Sequence, residues 1–342
     1  MEIDQVHSNA KDNAIDMTKK EFATVAIVLT VALAVFFWNY LPMEIMGGYR
    51  VGNTFMRLFF SGFIALTMSL IIVFPMIVTI KRDYANKQLE TLKRFRHLLL
   101  LMVKRDFVTR YRRSVLGVLW SVLNPLFTMI ILTMVFSTIF ESDIPNFPIY
   151  IFTGQLIYNF YAEATNGAMS SVISGATIIK KLYVPKYIFP ISKIFSAVIN
   201  LGFSFVAFIL VFLVLQTPFH WTMLLIPVPM LYVFIFAMGV GMILSSLAVF
   251  FRDITHLYGV IVTMLFFLTP IMYPVNILPQ QMFHLIHLNP LFHYIEYFRD
   301  LALNGTIPGL WSNIVCLGFS FGTLAIGVYV KMTHQDKYIL YL

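Results

Sequence analysis

Charged residues are scarce in this sequence. Only 12% of the 342 residues are Asp, Glu, Lys or Arg, whereas 59% are hydrophobic and 16% aromatic, and the mean hydropathy is +0.81. Because a soluble globular protein carries about a quarter charged residues, this composition excludes that class. It predicts an all-α protein that crosses a membrane several times.

Two further features are rare or missing. Cys316 is the single cysteine and lies inside an apolar run, so it gives no information on the redox compartment. No glycine is followed by lysine, so the sequence lacks the G-x-x-x-x-G-K-[ST] loop that binds ATP phosphates. Glu163 is the one acid deep in an apolar run, which is weak support for ion-driven transport through a relay of intramembrane acids. The chain shows no energy source of its own.

Long uncharged runs place the predicted membrane-spanning helices. Residues 22–43 and 58–80 predict two N-terminal spans, and residues 114–331 predict a core of six. Residues 276–306 are apolar but interrupted by prolines, which predicts short re-entrant helices in the outer leaflet before the last span. The six core spans are assigned to residues 114–140, 148–179, 194–216, 222–251, 254–273 and 308–330.

Basic residues set the orientation of these spans. All Lys and Arg except Arg50, Arg57 and Arg299 fall in tails and loops on one side, and this excess marks the cytoplasmic side. Both termini are therefore expected in the cytoplasm. Attraction to anionic lipids explains the net charge of +8 without nucleic acid as a partner. The predicted segments are a tail (1–21), a two-helix pair (22–80), a basic linker with an interfacial helix (81–113), the six-helix core (114–331) and a second tail (332–342).

The linker ends in an amphipathic pattern. Apolar side chains recur every four positions from Phe95 to Tyr111, with basic residues between them. This pattern is typical of a helix lying flat in the headgroup region, with its apolar face toward lipid and its basic face in water.

Five stretches resemble one family in order and spacing. The resemblance is to the permease subunits of type-2 ABC exporters of bacterial cell-surface polysaccharide, a group that includes O-antigen, capsule and teichoic-acid exporters, and it covers about residues 97–342. The two N-terminal spans are a departure from the family pattern, and their role is not implied. The stretches are RDFVTRYRRSVLGVLWSVLNPL (105–126), KKLYVPKYIFP (180–190), FFRDITHLYG (250–259), TPIMYPVNILP (269–279) and NPLFHYIEYFRDLAL (289–303).

The resemblance implies a homodimeric permease of the bacterial cytoplasmic membrane that breaks no bond itself. Two copies of a separate ATPase subunit would bind ATP and Mg, and the substrate would be a lipid-linked polysaccharide, undecaprenyl-diphosphate-linked as in the family. No cofactor or metal is expected in this chain. The positive-inside rule alone also explains the basic residues implied to form the ATPase-subunit interface: Arg105, Arg110, Arg112, Arg113, Lys180, Lys181 and Lys186.

Aromatic side chains crowd the predicted core. Sugars present apolar C–H faces that stack on rings, so the resemblance favours a substrate channel with an aromatic lining, although such rings also decorate lipid-facing surfaces. Glu163 would face this channel or be satisfied inside the bundle by Asn159, Thr165 or Asn166. The channel residues are Trp120, Phe127, Tyr150, Tyr158, Phe160, Tyr161, Glu163, Tyr258, Phe266 and Tyr273.

An acid–base cluster marks the outer side. Glu296 and Arg299 are three residues apart, so on a helix they share a face, and Asp300 offers a second acceptor. The three are predicted to form an outer gate; the alternative is a solvated surface pair. Two other functions stay open: an ABC exporter of drugs or small lipids, and a membrane-embedded polymerase or ligase that uses this cluster. A G-x-x-x-G motif at Gly318–Gly322 permits close helix packing, within one copy or between two.

Overall fold

The computed structural model describes residues 90–342, with gaps at 92, 113, 138–143, 182–183, 280–281, 283–285, 335–337 and 339–342. The predicted tail 1–21, the two N-terminal spans and the start of the basic linker lie outside the described residues. Within the described part, every regular element is a helix, which confirms the all-α class.

Nine α-helices are assigned in this part of the chain. Helices α2, α3, α5, α6, α7 and α9 overlap the six runs from which the core was predicted, although α5 begins six residues before its run. Short 3-10 turns lie at Trp221–Leu225 and Val275–Ile277. The helices are α1 (Arg96–Tyr111), α2 (Leu119–Ser137), α3 (Phe147–Ser174), α4 (Ala176–Lys181), α5 (Ile188–Val214), α6 (Pro227–Phe250), α7 (Ile254–Leu268), α8 (Pro290–Arg299) and α9 (Leu310–His334).

Four apolar segments of the described residues are long enough to cross a membrane: α2, α5, residues 221–250 including α6, and α9. The longest helix, α3, has 28 residues but a more polar sequence. It packs mainly against α5 and α6, and its Ile149, Ile151 and Ile157 are fully buried. Unsatisfied polar groups are costly in lipid, so the packing of the more polar α3 against apolar helices lowers the exposure of its polar groups to lipid.

Helices α6 and α9 form the most extensive helix pair. A Cβ at Gly239 would lie 2.4 Å from the backbone nitrogen of Leu324, and one at Gly327 would lie 2.5 Å from the carbonyl oxygen of Gly239. The two backbones therefore touch at these glycines. In the predicted G-x-x-x-G motif, Ser320 Oγ donates to the carbonyl of Tyr232 on α6 at 2.8 Å. The motif therefore packs within one copy of the chain.

Helix α8 lies between α7 and the last span and has ten residues, too few to cross a bilayer. Its start is fixed by Asn289, whose side-chain oxygen accepts from Leu291 N at 3.1 Å and whose Nδ2 donates to Thr269 Oγ1 at 2.6 Å. Its inner face is buried, including Tyr294 and Phe298. This agrees with the prediction of short helices before the last span.

Helices α2 and α7 are the most exposed of the core. Met129 is the one buried residue of α2, and Tyr258 the one buried residue of α7. Their outward side chains are large and apolar, as at Met134 and Phe267. In a membrane such faces contact lipid or a second protein surface.

Candidate functional site

Helix α1 begins at Arg96 and ends at Tyr111, and part of the apolar face that was predicted to lie against lipid packs on the helix bundle instead. Phe107 stacks on Phe203 of α5 with ring centroids 6.1 Å apart, and Val103 is buried. The carboxylate of Asp106 lies 2.8 Å from Lys193 Nζ on α5. This part of the apolar face therefore packs on the helix bundle, and an ion pair fixes the contact.

Glu163 also receives a partner from α1. Its carboxylate lies 2.6 Å from Arg110 Nη1, and its side chain is 34% exposed. Asn200 Nδ2 on α5 donates a second hydrogen bond to the same oxygen. A cation and an amide thus compensate an acid that would be costly in the membrane.

Two of the three neighbours predicted to satisfy Glu163 bond elsewhere, whereas Asn159 lines the same cleft as Glu163. Thr165 Oγ1 donates to the carbonyl of Tyr161 at 2.7 Å, and Asn166 Nδ2 donates to that of Ala162 at 2.8 Å. Hydroxyls and amides on a helix reach the carbonyl one turn back, so residues close in sequence were the wrong partners. The actual partners come from α1 and α5.

Further hydrogen bonds extend this contact to α2. Tyr111 OH donates to Asn200 Oδ1 at 3.1 Å and bonds to Ser121 Oγ on α2. Between α1 and α2 the chain turns at Gly117, whose φ of +47° favours glycine. Helices α1, α2, α3 and α5 are therefore joined by one polar network.

A cleft of about 640 Å³ opens between these four helices. Pro125 lies inside α2 at its wall, where it removes one backbone hydrogen bond of the helix. Most lining side chains carry amides or hydroxyls, with the half-exposed ring of Trp120 among them. The lining residues are Arg110, Tyr111, Ser114, Gly117, Trp120, Ser121, Asn124, Pro125, Thr128, Asn159, Glu163, Asn200 and Ser204.

The composition of the cleft suits a sugar ligand that carries phosphate. Amides such as Asn124 and Asn159 donate to and accept from hydroxyls, and the indole of Trp120 offers a stacking face. The guanidinium of Arg110 can bind phosphate oxygens in a bidentate manner. Among the described residues, no group of three His, Cys, Asp or Glu side chains is placed to hold a metal ion.

Four of the nine predicted channel aromatics lie buried inside the bundle. Tyr158, Phe160, Tyr161 and Tyr258 are each less than 8% exposed. Tyr158 OH donates to a carbonyl of α7, that of Val262, at 2.6 Å. Of the ten predicted channel residues, Trp120 and Glu163 line the cleft. The assignment of the others to a channel stays a prediction.

Three of the remaining predicted aromatics, Tyr150, Phe266 and Tyr273, connect α3 to α7 and to the segment after α7. Phe266 packs on Tyr158 at 5.0 Å between ring centroids. Tyr150 OH donates to the carbonyl of Tyr273 at 3.0 Å, and Tyr273 OH donates to a carbonyl of α7 at 2.8 Å. Phe127 is half-exposed on α2.

Arg299 is the centre of the predicted outer gate. It is 3% exposed, and its Nη1 lies 3.0 Å from Glu296 Oε1, as the three-residue spacing predicted. Its Nη2 donates to the carbonyls of Tyr150 and Ile271, each at 3.3 Å. Asp300 instead accepts from Asn304 Nδ2 at 2.9 Å, so backbone carbonyls take the place of the expected second carboxylate.

The predicted ATPase-subunit interface divides between two places. Lys180 and Lys181 are exposed at the end of α4, Arg105 is exposed on α1, and Arg112 is exposed directly after α1. Arg110 belongs to the cleft as well. Lys186 follows α4 and is partly buried, and Arg113 lies outside the described residues.

Sequence reasoning missed Asn200 and Ser204 as cleft residues. They are four residues apart in a mostly apolar span, which places both on the same face of a helix. That spacing was the available signal. Lys193 was assigned to a loop, but it lies in the second turn of α5.

Comparisons with known proteins agree on one family. A family model described as "ABC-2 type transporter" matches residues 97–303, from the first turn of α1 to the turn after α8. The O-antigen export system permease protein RfbA of Klebsiella pneumoniae is 30% identical over 249 residues, which are 71% of this chain and 95% of that protein. The polysialic acid transport protein KpsM of Escherichia coli is 24% identical over 249 residues, covering 68% and 91% of the two chains.

Proposed function

Because the chain belongs to the ABC-2 type transporter family, we propose that it is the permease subunit of an ATP-driven exporter. Its cargo is a lipid-linked polysaccharide, such as an O-antigen, a capsule polymer or a teichoic acid, and its site is the bacterial cytoplasmic membrane. It works as a homodimer with two separate ATPase subunits, which bind ATP and Mg. The names of the two relatives, which describe O-antigen export and polysialic acid transport, favour this cargo over drugs or small lipids.

The observation that carries the proposal is the polar cleft between α1, α2, α3 and α5. Its wall includes Arg110, at the end of a helix that the charge distribution places on the cytoplasmic side. Glu163 lies eleven residues before the end of α3, or about 16 Å along a helix. The cleft thus extends from the cytoplasmic surface toward the middle of the membrane, as an entry site for a sugar-diphosphate headgroup would.

The ion pair in the cleft supplies a means of recognising that headgroup. Arg110 is held by Glu163 at 2.6 Å in the free chain. A diphosphate carries more negative charge than one carboxylate and accepts bidentate bonds, so it would compete with Glu163 for Arg110. Exchange of partners would loosen α1 from α3 and open the cleft.

Helix α4 connects this cleft to the ATPase. Gly175 alone separates α4 from α3, and a Cβ there would lie 2.4 Å from the ring of Phe189 on α5. The junction between α3 and α4 is therefore packed closely against α5, which restricts movement of α4 relative to α3. A displacement of α4 at Lys180 and Lys181 would therefore move α3, which carries Glu163.

The polymerase or ligase alternative has less support. It needs an accessible cation on the outer side, whereas Arg299 is 3% exposed and bonded to two other parts of the chain, α3 and the segment after α7. A reacting group must reach its substrate directly or through one water. The gate cluster is therefore better suited to holding helices together than to chemistry.

Substitution of Glu163 tests the role of the cleft. We expect Glu163→Gln to lower the amount of polysaccharide at the cell surface while the protein reaches its normal abundance in the membrane. Glu90→Gln is the matched control, because Glu90 is an exposed acid that precedes α1 and does not line the cleft. Export at the wild-type level by the Glu163→Gln and Arg110→Gln variants alike would refute the assignment of the cleft.

A further inference from the structure

Tyr338, in the tail after α9, is completely buried. Its hydroxyl donates to Ser246 Oγ on α6 at 2.5 Å, and its ring meets that of Phe250, the last residue of α6, at 5.7 Å between centroids. Burial raises the pKa of Tyr338 to about 12, so the hydroxyl keeps its proton and remains a donor. A tail residue is thus bound firmly to the end of a core helix.

Two lysines lie over the same ring. Lys331 Nζ is 4.9 Å and Lys186 Nζ is 5.8 Å from the centroid of Tyr338. Both distances are within the range of a cation–π contact, and Lys331 Nζ also donates to Ser245 Oγ on α6 at 3.0 Å. Lys331 comes from α9, and Lys186 from the loop between α4 and α5, so the ring joins two segments that are distant in sequence.

The apolar cluster around Tyr338 reaches the surface assigned to the ATPase. Ile179 of α4, Met102 of α1 and Val249 of α6 belong to it. Ile179 immediately precedes Lys180 and Lys181, the exposed residues of α4. Tyr338 therefore lies where α1, α4, α6 and α9 meet, on the side that would receive the ATPase.

We propose that Tyr338 is a positioning residue for energy coupling. It holds α4 and the Lys186 loop against the end of α6, so that a displacement of α4 by the ATPase is passed to the spanning helices. This inference rests on the proposed function, but it concerns a residue outside the cleft and the tail segment beyond the family match, which ends at residue 303.

The contacts distinguish coupling from simple packing. A packing role needs only the volume of the ring. The arrangement also provides one hydrogen bond and two cation–π contacts, to α6, α9 and the Lys186 loop. Those contacts are directional, and they are the ones that would transmit a displacement.

The test uses the full chain with its ATPase subunit in lipid vesicles, with ATP turnover and polysaccharide transfer measured on the same sample. We expect Tyr338→Leu, which keeps most of the apolar volume, to lower the polysaccharide moved per ATP hydrolysed severalfold, because it removes the ring and the hydroxyl that contact α6, α9 and Lys186. Tyr338→Phe, which keeps the ring, should recover most of that ratio. Tyr329→Ala is the control, because Tyr329 is 68% exposed on α9 and should leave the ratio unchanged.

The outcomes separate the inference from the proposed function. If the Tyr338→Leu variant transfers as much polysaccharide per ATP as wild type, Tyr338 has no coupling role. If transfer and ATP turnover fall together, in step with a lower melting temperature, the residue serves packing alone. If the wild-type chain neither binds an ATPase subunit nor transfers polysaccharide, the proposed function itself is wrong, and this result is obtained with the wild-type chain alone.

Discussion

Replacement of Arg299 with Ala is expected to destabilise the outer end of the helix bundle severely. The side chain is 3% exposed, and its guanidinium lies 3.4 Å from the centre of the Tyr150 ring. It also bonds to carbonyls of α3 and of the segment after α7. One cation therefore joins three parts of the chain.

The magnitude follows from the groups that would lose their partner. A hydrogen bond to a charged group contributes about 1.5–3 kcal/mol, and a desolvated cation–π contact about 2 kcal/mol. These contributions are not additive, and Glu296 is partly exposed, so water can replace the arginine there. Because the carbonyls of Tyr150 and Ile271 and the Tyr150 ring would all lose their cation, we expect a cost of about 3–5 kcal/mol.

Thermal unfolding of the purified protein in detergent measures this loss. At about 2–4 °C per kcal/mol, Arg299→Ala should lower Tm by roughly 6–20 °C. Arg299→Lys should give an intermediate decrease, since it keeps the charge but not the planar fork. Arg252→Ala, at an exposed position, is the control. A Tm for Arg299→Ala equal to that of the control would refute the reasoning.

Three further predictions concern other contacts. Gly239→Val should separate α6 from α9 and lower Tm by an overpacking cost of about 1–3 kcal/mol, whereas Gly202→Ala, with no atom within 4 Å of the added Cβ, should not. Tyr158→Phe removes the 2.6 Å hydrogen bond to α7 and should cost about 1 kcal/mol in chemical unfolding; a fall in export beyond this loss of stability would support the assignment of Tyr158 to the channel. Lys180→Glu with Lys181→Glu should reduce capture of the ATPase subunit in pull-downs; unchanged capture would mean that these lysines act only as a topology signal.

The sequence predicted local features of the fold well. The break near residues 217–221 separates α5 from α6 as expected, because a proline there interrupts the helix. The Glu296–Arg299 pair formed because three-residue spacing on a helix fixes it. In both cases the determining information lies within one helical turn.

Contacts between distant segments could not be predicted in this way. The start of α5 was placed after Lys193, since a charge usually ends a membrane span, but Asp106 neutralises that lysine from α1 and the helix begins at Ile188. Arg110 was assigned to the ATPase interface together with the other basic residues of its segment. Its pairing with Glu163 could not be predicted from the sequence, because it depends on how α1 packs. For the same reason, the aromatic pattern could not separate buried rings such as Tyr161 from exposed ones such as Trp120.

The most direct test of the central claim is polysaccharide transfer by the purified chain. The chain and the ATPase subunit that co-purifies with it are placed in vesicles that contain undecaprenyl-diphosphate-linked polysaccharide, and access of an added glycosidase to the polymer is measured over time. The account predicts that ATP with Mg makes the polymer inaccessible to the enzyme, and that Glu163→Gln slows this change while Glu90→Gln does not. An assembled complex that hydrolyses ATP but leaves the accessibility of the polymer unchanged would contradict it.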